Sequence, residues 1–465
     1  MLFNSLAFLI FFPIVTIGFY AVAHRFRWLW LLAASCVFYM WFVPRYILIL
    51  LATILIDYSA AIIIERTDVR RQRFAWLWVS VSATCLILFV FKYLGFFEQT
   101  VIDIAGMLGM STNLKVAQIV LPIGLSFHTF QSLSYVIEVY RGTQKAERHL
   151  GIYSLYVMFY PQLVTGPIER PHNLLRQLRE EKRLNRDNVA QGLMLMVFGL
   201  FAKMVLADNW GAIVDAVYAH PEQYSSLSIV GGLFGYSLQI YCDFFGYSTI
   251  ALGCAKVMGY DITDNFRAPY LSRSIGEFWH RWHISLSTWF RDYVYIPLGG
   301  SRVRVSRWVL NTMVVFLLSG LWHGAAWTFV LWGGLHGLCL VAEGLPSRLR
   351  RQKPAQRAAW RIVPTFVAVT LLWSLFRAQD IGQLQAVYAA MLHNAGVGAL
   401  LPVKGPVMLM TLVFVMMDIG LRNSRFDKVL IRRSRVVQWA VCAILIFCTI
   451  VFSSVEEYPF IYFQF

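Results

Sequence analysis

The sequence predicts an all-α polytopic membrane protein, and three observations carry that expectation. Hydrophobic residues make up 58% of the 465-residue chain and charged residues only 14%, against roughly 25% charged in an ordinary soluble domain. Aromatic residues are abundant, with 35 Phe, 22 Tyr and 16 Trp, which suits a chain with much surface at lipid and headgroup depth. The net charge is +16, from 41 Lys and Arg against 25 Asp and Glu. That positive charge is sorted into short stretches at 24–27, 66–73, 141–148, 170–186, 267–307, 348–361 and 422–435, with long apolar runs between them. Such sorting orients a membrane protein, basic loops being retained on the cytoplasmic side. The same features exclude a disordered chain, a collagen, a coiled coil and a nucleic-acid-binding domain.

An apolar helix needs about 20 residues to cross the bilayer. Residues 1–23 supply the first span; without a basic leading region or a small-residue cleavage site, they read as a retained helix entering from outside. Spans at 28–43, 46–64, 75–95 and 116–139 follow. Residues 150–168 are flanked by basic loops on both sides, so they are expected to be re-entrant or buried between helices. Further spans lie at 190–218 and 227–257. The run 308–343 has room for two short passes broken near Gly320–Gly324, and 362–377, 403–421 and 436–453 complete the set.

This gives about 10–12 transmembrane helices, with re-entrant and interfacial helices. With the N-terminus outside, the loops at 44–45, 96–115, 218–226 and 378–402 fall outside and carry few Lys or Arg, while the basic clusters fall inside. The longest polar stretches, 169–189 and 260–307, are expected to be cytoplasmic and to carry amphipathic helices against the membrane. The chain reads as a single domain over 1–465, with 453–465 an extracytoplasmic tail.

The cysteines (Cys36, Cys85, Cys242, Cys254, Cys339, Cys442, Cys448) mostly sit inside apolar segments and form no CxxC pair. They read as small hydrophobes and support neither a disulfide framework nor a zinc site. A Walker loop, a GxSxG elbow, an HExxH pair and a histidine followed five positions later by aspartate are all missing. Candidate chemistry therefore reduces to polar groups at membrane depth, which are costly there.

His323, within Ser319-Gly320-Leu321-Trp322-His323-Gly324-Ala325-Ala326-Trp327, sits at an expected helix break. Freed backbone groups at such a break must line protein or a cavity, and a neutral imidazole there suits a general base. A core histidine bonded to a neighbouring carbonyl fits the same pattern. The second candidate is 277–293. If it is helical, His280 and His283 share one face, and Arg281 and Arg291 could meet the phosphates of a cytosolic donor. An interfacial amphipathic helix with Arg at the headgroups is the plainer alternative. Asp57, Lys203 and Asp208 are expected to form interhelical pairs. Asp243 lies in a polar aromatic cluster, His336 is a further buried polar group, and none of these makes a metal-binding set.

At the two histidine segments the sequence resembles the membrane-bound O-acyltransferase (MBOAT) family, in its bacterial alginate O-acetylation branch. The matching stretches are 121–142, 160–171, 238–253, EFWHRWHISLSTWFRDYVYIPLGG (277–300) and LSGLWHGAAWTFVLWGGLHG (318–337). The resemblance implies the MBOAT fold and an acyltransferase whose invariant histidine corresponds to His323 and whose cytoplasm-side histidine corresponds to His283. It also implies a cytoplasmic acyl thioester donor, with acetyl-CoA as substrate and no bound cofactor. Trp282, Arg291 and Asp243 are the expected donor-binding residues. Phe245 and Thr249 depart from the branch, which often has Ser and Asp there, and His128 stands where an aromatic residue is usual.

The chain ends Phe460-Ile461-Tyr462-Phe463-Gln464-Phe465, an F-x-Y-x-x-F motif. It resembles the C-terminus of the small membrane protein that partners the D-alanylating branch of the family, where the tyrosine is implicated as an acyl relay. Tyr462 would then be a relay carried in cis; an aromatic belt anchor is the alternative. The order thiol (pKa about 8.5), phenol (about 10), aliphatic alcohol makes such a transfer run downhill at the carbonyl.

The resemblance thus implies transfer of acetyl across a bacterial inner membrane to an extracytoplasmic polysaccharide such as alginate, cellulose or peptidoglycan, with an external esterase-like Ser-His-Asp acetyltransferase as partner. A transporter that moves donor or glycan without chemistry is the rival from another class; the inverted repeats common in transporters are not visible here. An acyltransferase for a protein or lipid acceptor is the other rival.

Overall fold

The computed structural model describes every residue except 118, 165, 351–357, 397, 455–457 and 464–465. Among the described residues the architecture is helical, with one isolated β-bridge and no named strand. Among the described residues seven helices are long and apolar enough to cross a membrane, and Leu6–Ala21 and Gly405–Gly420 are apolar but shorter. The chain divides into two compact units, Met1–Val189 with Cys254–Thr263, and Ala190–Gly253 with Asp264–Phe465.

In the first unit, Ile47–Arg66 packs against Arg70–Leu88 and Leu125–Arg141. Asp57 ties the three helices together. As expected it is paired between helices, and its partners are neutral: it accepts hydroxyls from Ser80 (2.5 Å), Thr84 (3.2 Å) and Ser132. Several neutral donors satisfy a buried carboxylate without importing a second charge, whose desolvation would also be costly. The 150–168 stretch does not cross. It forms Leu150–Met158 and, after a bend at Phe159, Tyr160–Leu163; at about 1.5 Å per residue neither spans a bilayer.

In the second unit, Val305–His323 and Trp327–Leu349 form the expected broken hairpin. Glycine is required where they cross. A Cβ on Gly320 would stand 2.3 Å from the Phe329 carbonyl oxygen, and one on Gly333 would stand 2.2 Å from that of Phe316. The two backbones therefore touch, and the turn at 324–326 is held rigidly.

Two pairs of loop segments meet within this unit. Segments 218–226 and 378–402 meet through the Tyr224–Ala399 bridge and through Asn394, whose side-chain amide donates to the Tyr224 carbonyl at 3.0 Å. The segment 378–402 was read as plain loop but contains the helix Ile381–His393, capped by the Asp380 carboxylate. The basic segments 260–307 and 422–435 also meet each other, Arg425 reaching Asp264 at 2.9 Å. Of the cysteines, Cys85 is exposed rather than buried; the others are buried or partly so.

Candidate active site

His323 is the last residue of its helix. Gly324 follows in extended conformation, and a Cβ there would strike the Phe329 ring at 2.1 Å. The sharp turn leaves the imidazole buried, 5.0 Å edge-on from Trp332 and 5.3 Å from Phe376, measured between ring centroids.

His283 reaches the same place by a different route. The helix Ile275–Arg281 ends when the Trp282 N–H bonds back to Phe278, and His283 adopts the left-handed conformation, φ 43° and ψ 55°. That conformation costs an L-residue about 1–2 kcal/mol. Asn265 holds it, its carbonyl accepting from Ile284 N–H at 3.0 Å and its side chain from Ser285 N–H at 3.2 Å. The expectation of one helical face for His280 and His283 is therefore overturned. The break turns His283 inward to full burial, while His280 is exposed and donates to the Gly276 carbonyl. Burial pushes His283 down to about 3, so it stays neutral near pH 7.

The third ring is Tyr462. The chain turns back after Arg435–Phe452 and seats Phe460 and Ile461 among buried side chains. Tyr462 stands 5.6 Å from His323, 6.3 Å from His283 and 4.7 Å from Phe244, again between centroids. The two histidines are 6.3 Å apart. The three residues singled out as catalytic thus converge, all within the second unit. Phe465, the last position of the motif, lies outside the described residues.

The three expected donor-binding residues have different surroundings. Trp282 is fully buried, stacked on Phe278 and packed 4.9 Å from Trp373, so it is a wall behind His283. Arg291, on the widened turn Arg291–Tyr295, is more than half exposed and paired with Asp292 at 2.7 Å. It borders an apolar cavity of about 340 Å³ and not the histidine pair. Asp243 is buried against Lys203 at 2.8 Å and accepts the Ile461 N–H at 2.7 Å. The Lys203–Asp243 pair is interhelical, as expected of Lys203, whereas Asp208 pairs with Lys203 at 2.6 Å from within the same helical run. His336 accepts from the Trp279 indole at 3.3 Å and is held in the core.

The convergence of the two basic loops was not legible from the sequence. A cavity of about 640 Å³ is walled by Arg267, Arg281, Arg422, Arg425, Lys428 and Arg432, with Tyr241, Phe245 and Phe266 on its apolar side. Asp264, Glu277 and Asp418 also border it, so cations are in excess. Burial alone would raise Glu277, but the Arg273 N–H (2.9 Å) and the Arg281 and Arg422 guanidiniums (2.9 and 3.5 Å) outweigh it and hold the carboxyl below its ordinary value. Charge clusters at 267–307 and 422–435 were visible in the sequence, but nothing in a single sequence says that they meet. Among the described residues, no group of three or more His, Cys, Asp or Glu could hold a metal ion.

A buried histidine at a helix break, beside a second histidine and a phenol, is an arrangement suited to acyl transfer. The family model for membrane-bound O-acyltransferases (MBOAT) matches residues 149–379. A probable alginate O-acetylase of Pseudomonas aeruginosa is 37% identical over 396 residues, 84% of this chain and 75% of that protein. One of Pseudomonas putida is 33% identical over the full length of both. A peptidoglycan O-acetyltransferase of Helicobacter pylori is 32% identical over 85% of this chain and 81% of its own. The chain belongs to the membrane-bound O-acyltransferase family, and it is a multi-pass membrane enzyme.

Proposed function

We propose that the enzyme moves an acetyl group from a cytoplasmic thioester donor, acetyl-CoA, across the inner membrane for O-acetylation of an extracytoplasmic polysaccharide. The activities of its relatives, alginate and peptidoglycan O-acetylation, support that acceptor class. The observation that carries the mechanism is the 5.6 Å approach of Tyr462 to His323. His323 takes the phenol proton as the Tyr462 oxygen attacks the thioester carbonyl. The carbon–sulfur bond breaks, and the departing thiolate recovers the proton from the imidazolium. The tyrosyl ester is then attacked by a hydroxyl of an external esterase-like Ser-His-Asp partner or of the glycan, which restores the phenol.

A positioned histidine contributes typically 10²–10⁴-fold to such a step. His283, neutral and buried, lines the site beside it. The phosphates of the donor rest in the arginine-walled cavity, where charge-assisted bonds are strong, and Arg291 takes no part in holding them.

Mass spectrometry of purified protein incubated with labelled acetyl-CoA tests this reading. The expected result is label on the C-terminal peptide of the wild type and none on His323→Ala or Tyr462→Phe. Glycan acetylation in cells that survives Tyr462→Phe, with no labelled peptide in any variant, would remove the relay and leave direct transfer at His323.

A further inference from the structure

Resting on the reading that the ring cluster around His323 is the acyl-transfer centre, we infer that the buried Lys203–Asp208–Asp243 cluster is a clasp that holds the C-terminal segment so that Tyr462 stays beside His323. The three residues are positioning groups, acting through the tail.

The helix Arg186–Leu200 runs into a π-helical stretch, Phe201–Ala207, and then into Asp208–Ala219. In the wider π turn, i and i+5 come into register. The Asp208 N–H bonds the Lys203 carbonyl, and the two side chains meet on one face. Asp243 approaches the same ammonium from Ser226–Val257. All three side chains are almost completely buried. A cluster of one cation and two carboxylates carries excess negative charge, and buried charge of that kind calls for further donors.

The tail supplies one and takes another in exchange. Ile461 N–H donates to Asp243 Oδ2 at 2.7 Å, and Lys203 Nζ donates to the Tyr458 carbonyl at 3.0 Å. Two outer contacts fix the segment's entry on the same stretch of helix. The Asn209 amide donates to the Phe452 carbonyl at 2.9 Å, and Ser454 N–H donates to the Met204 carbonyl at 3.3 Å. Phe460, packed 4.5 Å from Tyr247, closes the inner side. Every polar bond reaches tail backbone, so the cluster fixes where the chain runs and leaves the Tyr462 side chain for the site.

The test places a cysteine at the site in otherwise intact protein, Tyr462→Cys, and follows its modification by a bulky maleimide on the C-terminal peptide by mass spectrometry. Asp243→Asn is expected to speed labelling at least tenfold. Ile461→Pro, which deletes the donor N–H at the first position of the short helix Ile461–Phe463 and leaves the long apolar helices unchanged in sequence, is expected to do the same and remains informative should Asp243→Asn fail to fold. With Tyr462 restored, both substitutions are expected to lower kcat at least tenfold while KM for acetyl-CoA stays within twofold. Labelling unchanged by both substitutions overturns the clasp. Accelerated labelling in a background where Tyr462→Phe retains full activity upholds the clasp and removes the relay, so the two readings fail separately.

Discussion

Tyr462 and His323 face each other at 5.6 Å, one from the last residues of the chain and the other from the turn of a membrane hairpin. Both are set by backbone rather than by flexible side chains. Glycine contacts fix the hairpin, and a buried charge cluster meets the tail. A phenol is almost wholly protonated at neutral pH, so a neighbouring base is what gives its oxygen use as a nucleophile. Under the proposed relay, the aromatic rings around the pair would shield a tyrosyl ester from hydrolysis.

His323→Ala is expected to lower acetyl transfer by about 10²–10⁴-fold, the usual contribution of a positioned general base. The imidazole packs mainly against rings, so removing it leaves a cavity but no unpaired charge, and the thermal midpoint should fall by only a few degrees. Turnover of purified protein with labelled acetyl-CoA, measured beside a melting curve, checks both. A collapsed melting curve would make His323 a core residue instead.

The donor-site assignment separates two sets of cations. Lys428 and Arg432 are exposed on the wall of the basic cavity, whereas Arg291 borders an apolar one. Replacing Lys428 and Arg432 together by Ala is expected to raise KM for acetyl-CoA about tenfold, the loss of one charge-assisted contact at roughly 1.4 kcal/mol. It should leave kcat nearly unchanged and flatten the salt dependence of KM, since exposed charges are screened. Arg291→Ala is expected to alter KM less than twofold. The opposite pattern in the same steady-state assay would return the donor to Arg291.

Much of this was legible in the sequence, and what was not has identifiable causes. The broken hairpin announced itself because glycines flank a histidine inside an apolar run. The path of 150–168 followed from charge on both sides. The placement of His283 did not, because helical spacing predicted one face with His280 and the left-handed turn at His283 breaks it. That turn depends on Asn265, distant in sequence and without a local signature. The surroundings of Asp243 were hidden for a related reason. Its partners Lys203 and Ile461 come from elsewhere in the chain, and Lys203 meets Asp208 only because the helix widens. Long-range convergence of this kind, like the meeting of the two arginine loops, leaves no periodicity to read.

The hairpin glycines carry a prediction about stability. Gly320→Ala would drive its methyl group to 2.3 Å from a backbone carbonyl, which cannot rotate away. Overpacking of this sort costs typically 1–3 kcal/mol. A lower thermal midpoint is expected, together with a loss of turnover as the His323 turn shifts. Gly106→Ala is the control, since a Cβ there meets nothing within 4 Å and alanine is the better helix former by up to about 1 kcal/mol. Melting curves of the two variants against wild type check the sign, which should be opposite for the two.

The last prediction concerns acid. Glu277 caps its own helix start through the Arg273 N–H and faces Arg281 and Arg422, and its carboxyl is held below the ordinary value. A lowered carboxyl pKa means the folded state binds its proton less readily than the unfolded chain. The stabilisation is therefore fully present above about pH 4.3, the unfolded value, and is lost as pH falls through the folded one. Glu277 is partly exposed, so solvent screening limits the effect to about 1 kcal/mol or less. Glu277→Gln should melt a few degrees below wild type at pH 7 and converge with it once the pH has fallen below the lowered folded value, in detergent where the protein still refolds. A gap that widens on acidification would mean that Glu277 is held protonated and acts as a donor, reversing its assigned part in the basic cavity.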